Sequence, residues 1–373
     1  MNKIYGFVMG DLHLGHRNIH IDVALERLDN YLLDNMDIIK KCSIIVLNGD
    51  IFDRLLNNTS PEYQKIVRWL LKFINMCSLL GIILRFLKGT ETHEWEQLKI
   101  IETILSESNI NIDFKYIDTM YLEKNIKLGL NILYIKDNYT PKGKSVYEDI
   151  DNIFKENQIN NADMAFIHGA FNFQLPIKLA SSYDEESMLK RVKYYTMVNH
   201  IHSHSVYKRI IAPGSTDRIS HAEEKEEKGG ILFTIDTIKQ SASFLFIKNK
   251  YVKPMATIDV TMHTDITDII NVLDQNVSKL PVGCNVRILY NKESKLSKHT
   301  KEIKNRYPNI IIKIETSAKK IEQGDKVFES VDIKAFNITP DNIDILLKTE
   351  LSKHNYSHAQ NKIVNDELRT AMR

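Results

Sequence analysis

The sequence predicts an α/β protein because short apolar runs alternate with amphipathic stretches throughout its first half. Four β-branched runs, at residues 4–9, 43–47, 81–87 and 164–167, have the length and composition of buried strands. Between them, residues 23–39 carry apolar side chains at helical spacing, and Ser60-Pro61 is a typical helix N-terminus. Apolar strands that are separated by helices are typical of a sheet covered on both faces.

The composition limits the class of protein. A chain of 373 residues that is 43% hydrophobic and 26% charged is long enough for two or three globular domains. Its net charge of +2 gives no overall basic field. No apolar run is long enough to span a membrane, and the N-terminus lacks the apolar core of a signal peptide, so we expect an intracellular protein without a membrane partner. Three widely spaced cysteines predict neither a disulfide framework nor a thiolate zinc site.

The second half of the chain divides into smaller units. Strand-like runs follow one another from about residue 195, and the acidic, lysine-rich segment 221–228 is predicted to be a solvated turn. After Lys253-Pro254 the pattern reads strand, helix, strand, helix, strand, which predicts a small α+β unit. Beyond Gly324 the pattern is mostly helical. The predicted domains are residues 1–253, 254–323 and 324–373.

Polar residues with metal-ligand chemistry recur directly after the predicted strands. Five segments share this placement: Gly10-Asp11-Leu12-His13, Asn48-Gly49-Asp50, Gly89 to Glu94, His168-Gly169 and His200-Ile201-His202. In open α/β sheets, the loops at the carboxyl ends of the strands converge on one site. The D-x-H and H-x-H spacings also place both side chains on one side of an extended segment. Mixed carboxylate and imidazole ligands suit Mn²⁺, iron or Zn²⁺ better than Ca²⁺.

Each segment alone is weak evidence for a metal site. A single histidine near a strand end is more often a hydrogen-bonded polar residue, and Gly-Asp after a strand is often a simple turn. Five such segments, each at a strand end, favour one shared metal site. His204, one step beyond the H-x-H pair, is interpreted as structural or solvent-facing. Asp53 is a candidate for orienting a ligand or the substrate.

The five segments resemble the motifs of the calcineurin-like metallophosphoesterases. The opening Gly-Asp-Leu-His-Leu-Gly-His, together with Ala212-Pro213-Gly214-Ser215 and Lys228-Gly229-Gly230, is typical of the SbcD-type DNA nuclease subunit in that superfamily. The resemblance covers about residues 1–260, and more loosely the unit that follows. It implies a four-layer α/β/β/α sandwich, a DNA-capping α+β domain and a helical C-terminal tail. It also implies a cytoplasmic protein of a bacterium or of a phage-infected cell.

The resemblance further implies a centre for two Mn²⁺ ions, with Mg²⁺ as the alternative. Six residues match the family's metal ligands: Asp11, His13 and His202 for the first ion, His168 and His200 for the second, and Asp50 as the carboxylate between them. His93 matches the histidine that stabilises the transition state and helps to protonate the leaving group. Asp50 and His93 are therefore the expected catalytic residues. Such two-metal centres clamp a phosphodiester and provide hydroxide near neutral pH.

Two residues depart from the family pattern. Thr92 precedes His93, where the family has an asparagine that coordinates the second ion, and a threonine hydroxyl is a weaker ligand. Asn199 precedes His200, where the family has a glycine, a change that is expected to alter the local turn.

Basic residues in the C-terminal half are candidates for DNA contact. Lys298, Lys301 and Lys304 recur every three residues and so lie approximately on one helix face. We expect this face to contact DNA phosphates, with a solvated helix as the alternative. Arg17, in the loop after the first segment, is a further candidate for a phosphate contact.

The resemblance also implies protein partners. Apolar stripes in the tail are expected to dock on an SbcC-like ATPase subunit of the SMC family, or to pack on the capping domain of the same chain. A homodimer is implied as well, through helices within residues 23–39 and 63–80, although core packing explains their periodicity equally well.

The expected function is that of a metal-dependent DNA exonuclease and endonuclease, the nuclease subunit of a complex for DNA end processing, repair and recombination. One alternative is a phosphoesterase that acts on nucleotides or phosphoproteins. The basic C-terminal unit argues against it. Another alternative is a catalytically weak scaffold of the same fold, which the retention of six ligands and His93 argues against, because buried polar groups are costly to keep.

Overall fold

The computed structural model describes residues 3–17, 19–179, 181–294 and 296–317. These residues belong to one compact unit that ends at Ser317. The small unit predicted after residue 253 is part of it, and the predicted tail, residues 324–373, lies outside the described residues. The predicted α/β class is confirmed, since the described residues form two six-stranded mixed sheets together with helices.

The first sheet contains the strands that precede three of the five polar segments. Its strands are β1 Lys3–Met9, β2 Ile44–Asn48, β3 Ile83–Leu87, β4 Phe114–Ile117, β11 Gly229–Asp236 and β12 Ser241–Lys248. Their order in the sheet is β12-β11-β1-β2-β3-β4, in which β1 to β4 are parallel and β11 and β12 are antiparallel to their neighbours. The strands predicted at residues 4–9, 43–47 and 81–87 are confirmed, each within two residues of its expected ends, and two of the later strand-like runs form β11 and β12.

The second sheet has the order β5-β6-β7-β8-β10-β9, and its four central strands are parallel. Its strands are β5 Tyr121–Asn125, β6 Leu130–Ile135, β7 Ala162–His168, β8 Val192–Asn199, β9 Ser205–Tyr207 and β10 Ile210–Ala212. The parallel neighbours β7 and β8 end at the same edge, and they carry the other two polar segments.

The α-helices of the described residues are mostly short. They are α1 Ile21–Asp34, α2 Met36–Ile39, α3 Pro61–Leu79, α4 Glu91–Glu94, α5 Lys99–Glu107, α6 Val146–Glu156, α7 Glu185–Leu189, α8 Ile266–Val277 and α9 Thr300–Arg306. Short 3₁₀ helices span Asn172–Gln174, His221–Glu223, Lys292–Ser294 and Leu296–His299. Ser60 caps α3 as predicted, because its Oγ accepts a hydrogen bond from the backbone N–H of Tyr63. No helix within these residues is long and apolar enough to cross a membrane.

Alternation along the strands divides the apolar side chains among three cores. Phe7 and Ile45 of the first sheet pack in one core with residues of α1, α3 and α5. Their neighbours Val8 and Val46 belong to a second core, which also contains residues of β6, β7 and β8 from the second sheet. The opposite face of the second sheet packs in a third core with α6 and α7. The two sheets therefore share one apolar core, and the helices contribute to the outer ones.

The small unit is a three-stranded parallel sheet with α8 and α9 packed on one face. Its strands are β13 Met255–Asp259, β14 Asn285–Tyr290 and β15 Ile311–Thr316. The predicted order of strands and helices is confirmed. Val286 and Ile312 point into a core with Ile303 of α9, so the alternate residues Arg287 and Lys313 lie on the opposite face.

The prediction of a solvated turn at residues 221–228 is wrong for two of its members. Glu223 is 7% exposed and Lys228 is 1% exposed. The two side chains form an ion pair of 2.9 Å, which makes their burial tolerable. A charged run in a sequence does not reveal such an internal pairing.

Candidate metal centre

The carboxyl ends of five strands from the two sheets meet at one place. Asp11 follows β1, Asp50 follows β2, and His93 lies in α4, just after β3. His168 ends β7, and His200 and His202 follow β8. This is the convergence that the strand-end placement predicts.

The ligand atoms of these residues form three overlapping groups, within each of which they lie no more than 4.8 Å apart. The groups are Asp11–His13–His202, His13–Asp50–His93 and Asp50–His168–His200. His13 and Asp50 each belong to two groups, so the cluster is continuous. Imidazole and carboxylate groups at this spacing can hold a metal ion.

The backbone is strained at several of these positions. Asp11, His13, Asp50 and His200 all have positive φ angles, of 48°, 46°, 52° and 124°. Such conformations cost on the order of 1–3 kcal/mol each in residues other than glycine, and they tend to occur at functional sites. Gly49 (φ 86°) also makes room for the cluster, since a Cβ there would lie 2.0 Å from Nδ1 of His168.

Three buried atoms of the cluster form no hydrogen bond among the described residues: Oδ1 of Asp11, Nδ1 of His13 and Nε2 of His168. Leaving buried polar groups unpaired is costly, and a bound cation would satisfy Oδ1 of Asp11 and Nε2 of His168. Nδ1 of His168 lies 2.8 Å from the carbonyl oxygen of Asn48, to which it can donate, and this leaves Nε2 to face the cluster. The residues present therefore fit a metal ion.

Asp50 and His168 interact strongly in the absence of an ion. Nε2 of His168 lies 3.3 Å from Oδ2 of Asp50. Burial lowers the pKa of His168, but the neighbouring Asp50 carboxylate outweighs this effect and raises it to about 10. Burial likewise raises the pKa of Asp50, and the His168 charge outweighs it and lowers that pKa well below its ordinary value. The proton on His168 thus supplies positive charge that a metal ion would replace.

His93 is oriented through its Nδ1, which contacts the backbone carbonyl oxygen of Asp53. Its ring also meets the ring of His13 edge to face, with centroids 4.9 Å apart. The Asp53 carboxylate lies 3.2 Å from Nδ1 of His13. Asp53 therefore contacts both histidines, through its backbone and its side chain, which fits the orienting role considered for it.

The threonine beside the cluster is Thr90, not Thr92. The backbone N–H of Thr90 donates to Oδ1 of Asp50 at 2.6 Å, and its hydroxyl lies 3.2 Å from Oδ2 of Asp50 and 3.4 Å from Nδ1 of His200. Thr92 is exposed on the short helix α4. The position assigned to Thr92 on the sequence is thus occupied in space by Thr90, because the turn of α4 begins directly after it.

Glu94 holds two loops of the cluster together, and no role was predicted for it from the sequence. Its fully buried carboxylate accepts hydrogen bonds from the backbone N–H of Ile51 at 2.6 Å and of Gly89 at 2.7 Å. It thereby ties the loop after β2 to the loop after β3. Burial, together with the Asp50 carboxylate, raises the pKa of Glu94 to about 8. The His-Glu pair at residues 93–94 was the available sequence signal.

Glu223 and Lys228 hold His202 from the other side. Oε1 of Glu223 lies 3.2 Å from Nδ1 of His202, and Nζ of Lys228 donates to the backbone carbonyl oxygen of His202 at 2.9 Å. Burial lowers the pKa of His202, but the bond to Glu223 outweighs it and raises that pKa. A carboxylate on one ring nitrogen leaves the other nitrogen, Nε2, to serve as a ligand. His204 lies apart from the groups; its Nδ1 is 2.6 Å from the carbonyl oxygen of Ala212.

A cleft of about 1320 Å³ opens beside the cluster. Its walls come from the loop after β1, the start of α3, residues 219–222 and the open face of the small sheet. Five basic side chains line it: Arg17, Lys65, Lys253, Arg287 and Lys313. They face two carboxylates, Glu62 and Glu315. Lys65 pairs with Asp22 and Lys313 with Glu315, but basic side chains still outnumber acidic ones in the lining of the cleft.

The three candidate DNA-contacting lysines lie elsewhere. Lys298, Lys301 and Lys304 are exposed on and just before α9, which packs on the face of the small sheet opposite to the cleft. Arg17, by contrast, is exposed and lines the cleft. The structure thus brings Arg17, but not the lysines, to the side of the candidate metal centre.

Comparisons with known proteins add little to this geometry. No family model matches the chain, and no curated protein matches it. The solved structures that match include two with a TM-score of 0.36 and 12% identity. The alignment with the first structure covers 66% of this chain and 99% of that structure's chain. The other, GAP50, the anchor in the inner membrane complex of Plasmodium, is covered over 96% of its length by 75% of this chain. Likenesses at this level establish neither the fold nor the function.

Proposed function

We propose that the chain is a two-metal phosphodiesterase that acts on DNA, of the SbcD type of calcineurin-like metallophosphoesterase. The observation that carries the proposal is the continuous cluster of seven side chains, in which His13 and Asp50 each serve two ligand groups. A carboxylate shared between groups is what holds two cations close together. Mn²⁺ is the proposed ion, with Mg²⁺ as the alternative.

The proposed fold is the four-layer α/β/β/α sandwich. Its support is the division of the apolar side chains, with one core shared by the two sheets and two outer cores that contain helices. In this arrangement both sheets end at the metal cluster. The small sheet after residue 253 would be the capping unit.

The chemistry follows from the positions of the side chains. Bound cations would neutralise the phosphodiester and lower the pKa of water. Asp11, His13 and His202 would hold one ion, His168 and His200 the other, and Asp50 would lie between them. His93, held through Nδ1 by the Asp53 carbonyl, turns Nε2 toward the cluster, where it would give a proton to the leaving oxygen.

The basic cleft suggests a polyanionic substrate. Arg17 and Lys65 come from the loop after β1 and from α3, whereas Arg287 and Lys313 come from the small sheet, so basic side chains of separate elements line one cleft of about 1320 Å³. Several basic groups along one cleft suit a phosphate backbone. His16, three residues after His13, also lines the cleft and so connects it to the cluster. We therefore place the DNA contact here rather than on α9.

The proposed partners are an SbcC-like ATPase and a second copy of the chain. The segment proposed to dock on the ATPase, residues 324–373, lies outside the described residues. For the homodimer, the support is a groove of about 280 Å³ between α1 and α3. Leu33 lines this groove and is 64% exposed.

Nuclease assays on linear duplex and single-stranded DNA with added Mn²⁺ test the proposal. Wild type is compared with Asp50→Asn, which weakens the shared ligand, and His93→Ala, which removes the proton donor. His204→Gln is the matched control, because His204 neighbours the cluster in sequence but bonds to Ala212. We expect the first two variants to lose activity and the control to keep it.

The assays are repeated with the proposed ATPase subunit and ATP, because activity that depends on this partner would be missed with the chain alone. An inactive wild type under both conditions, with no Mn²⁺ bound, would contradict the proposal. Equal activity of wild type and Asp50→Asn would contradict the assigned site.

A further inference from the structure

A pair of buried amides, Asn48 and Asn199, joins the two sheets beside the candidate metal centre. Both side chains are 0% exposed. Asn48 ends β2 of the first sheet and Asn199 ends β8 of the second. Nδ2 of Asn48 donates to Oδ1 of Asn199 at 3.0 Å. The pair therefore forms a direct hydrogen bond across the sheets.

The neighbours fix the orientation of both amides. Nδ2 of Asn48 also faces the carbonyl oxygens of Ile167 and Met197, at 3.1 and 3.4 Å. Nδ2 of Asn199 faces Oδ2 of Asp11 at 3.0 Å and the carbonyl oxygen of Gly214 at 3.1 Å. Reversing either amide would bring oxygen against oxygen, so these contacts leave one assignment.

The consequence for Asp11 is an unequal carboxylate. Its Oδ2 accepts from the Asn199 amide and from the backbone N–H of His200, at 3.0 and 3.2 Å. Its Oδ1 is buried and has no hydrogen-bond partner among the described residues. Asp11 therefore presents a single oxygen to the cluster.

Asn48 touches the second part of the cluster as well. Its backbone carbonyl oxygen lies 2.8 Å from Nδ1 of His168. Asn48 thus orients the imidazole of His168 directly and the carboxylate of Asp11 through Asn199. The space for this arrangement is provided by Gly10, because a Cβ there would lie 2.7 Å from Cγ of Asn199.

We propose that Asn199, held by Asn48, is a positioning residue that makes Asp11 a one-oxygen ligand and so favours Mn²⁺ over Ca²⁺. The proposal rests on the metal centre proposed above. Ca²⁺ readily accepts both oxygens of a carboxylate and larger coordination numbers, whereas a fixed single oxygen suits the smaller ion. Partners that orient a ligand in this way typically change metal affinity 10–100-fold.

The test is a titration of the full-length protein with Mn²⁺, in which the electron paramagnetic resonance signal of the free ion is monitored. The titration is then repeated with Ca²⁺ as a competitor. The variants are Asn199→Ala and the isosteric Asn199→Asp, whose oxygen would face Oδ2 of Asp11. Asn125→Ala is the matched control, because Asn125 is another buried amide and bonds to Glu123, on β5, instead of the cluster. Thermal unfolding in chelator reports the fold of each variant.

We expect both Asn199 variants to bind Mn²⁺ about 10–100-fold more weakly, with a lower preference for Mn²⁺ over Ca²⁺. The Asn125 variant should melt earlier but bind as wild type does. If Asn199→Ala does not fold, the isosteric variant carries the comparison. Wild-type affinity and preference in a folded Asn199 variant would overturn the positioning role and leave the metal centre standing. A wild type that binds no Mn²⁺ would overturn both.

Discussion

Replacing Glu223 by glutamine should destabilise the metal-free protein at neutral pH. The carboxylate is 7% exposed, lies 3.2 Å from Nδ1 of His202 and forms a 2.9 Å ion pair with Lys228. Burial alone would raise the pKa of Glu223, but the His202 hydrogen bond and the Lys228 charge outweigh burial and lower it to about 2. Glutamine keeps the shape and an acceptor oxygen but removes the charge.

The size and the pH range of the effect follow from that pKa. The ordinary value is 4.5, so the folded state binds this proton more weakly than the unfolded state does. The stabilisation is therefore complete well above pH 4.5 and is lost as the pH falls toward 2. At about 1.4 kcal/mol for each tenfold change in proton affinity, Glu223 contributes about 3 kcal/mol at pH 7 and roughly half of that at pH 3.

Urea unfolding in the presence of chelator, at several pH values from 7 to 3, measures this difference. Glu227→Gln is the matched control from the same segment, since its side chain is 61% exposed and pairs with Lys248 on the surface. The control should unfold at the wild-type urea concentration. The reasoning would be refuted by a Glu223→Gln protein as stable as wild type at pH 7, or by a difference that does not shrink at lower pH.

Three further predictions concern the ion, the cleft and the core. Mn²⁺ at 100 times its dissociation constant should stabilise wild type by about 2.7 kcal/mol, seen as a higher melting temperature, and should stabilise Asp50→Asn much less. Arg287→Ala should weaken the binding of all DNA sequences, measured by fluorescence anisotropy, and should lower the slope of log affinity against log salt concentration by about one. Lys301→Ala should change neither the affinity nor the slope. Glu123→Gln should cost about 1.5–3 kcal/mol in urea unfolding, because Arg85, 4% exposed, loses the charge of a partner at 2.6 Å but keeps Asp113 at 2.8 Å.

The sequence predicted the first sheet better than the second. Strands β1, β2 and β3 are continuous apolar runs, whereas β5 and β6 were not recognised. The reason is visible in β5, which carries the polar residues Glu123 and Asn125 at buried positions. They are tolerable because Glu123 pairs with Arg85 on β3, far away in the chain. A periodicity of apolar residues cannot reveal a strand whose buried face is charged.

A similar limit applies to the site. The side chains that the structure brings together were all named on the sequence, because their position after strands follows from a local pattern. Of the groups that orient them, only Asp53 was assigned an orienting role on the sequence. Thr90, Glu94, Glu223 and Asn199 act through hydrogen bonds, and most of these reach residues 40 or more positions away. Which residues become such partners depends on how the loops meet in the folded chain. Thr90, rather than Thr92, contacts Asp50 because α4 begins directly after Thr90.

The candidate centre draws on both sheets, and this has a consequence for how the protein matures. Asp11, His13, Asp50 and His93 come from the first sheet, whereas His168, His200 and His202 come from the second. A nascent chain that has formed only its N-terminal strands cannot assemble any of the ligand groups that include a second-sheet histidine. Capture of a full complement of cations would therefore follow docking of the two halves. The bound ions would then link the two sheets, and only a chain that has finished folding would carry all of its metal ions.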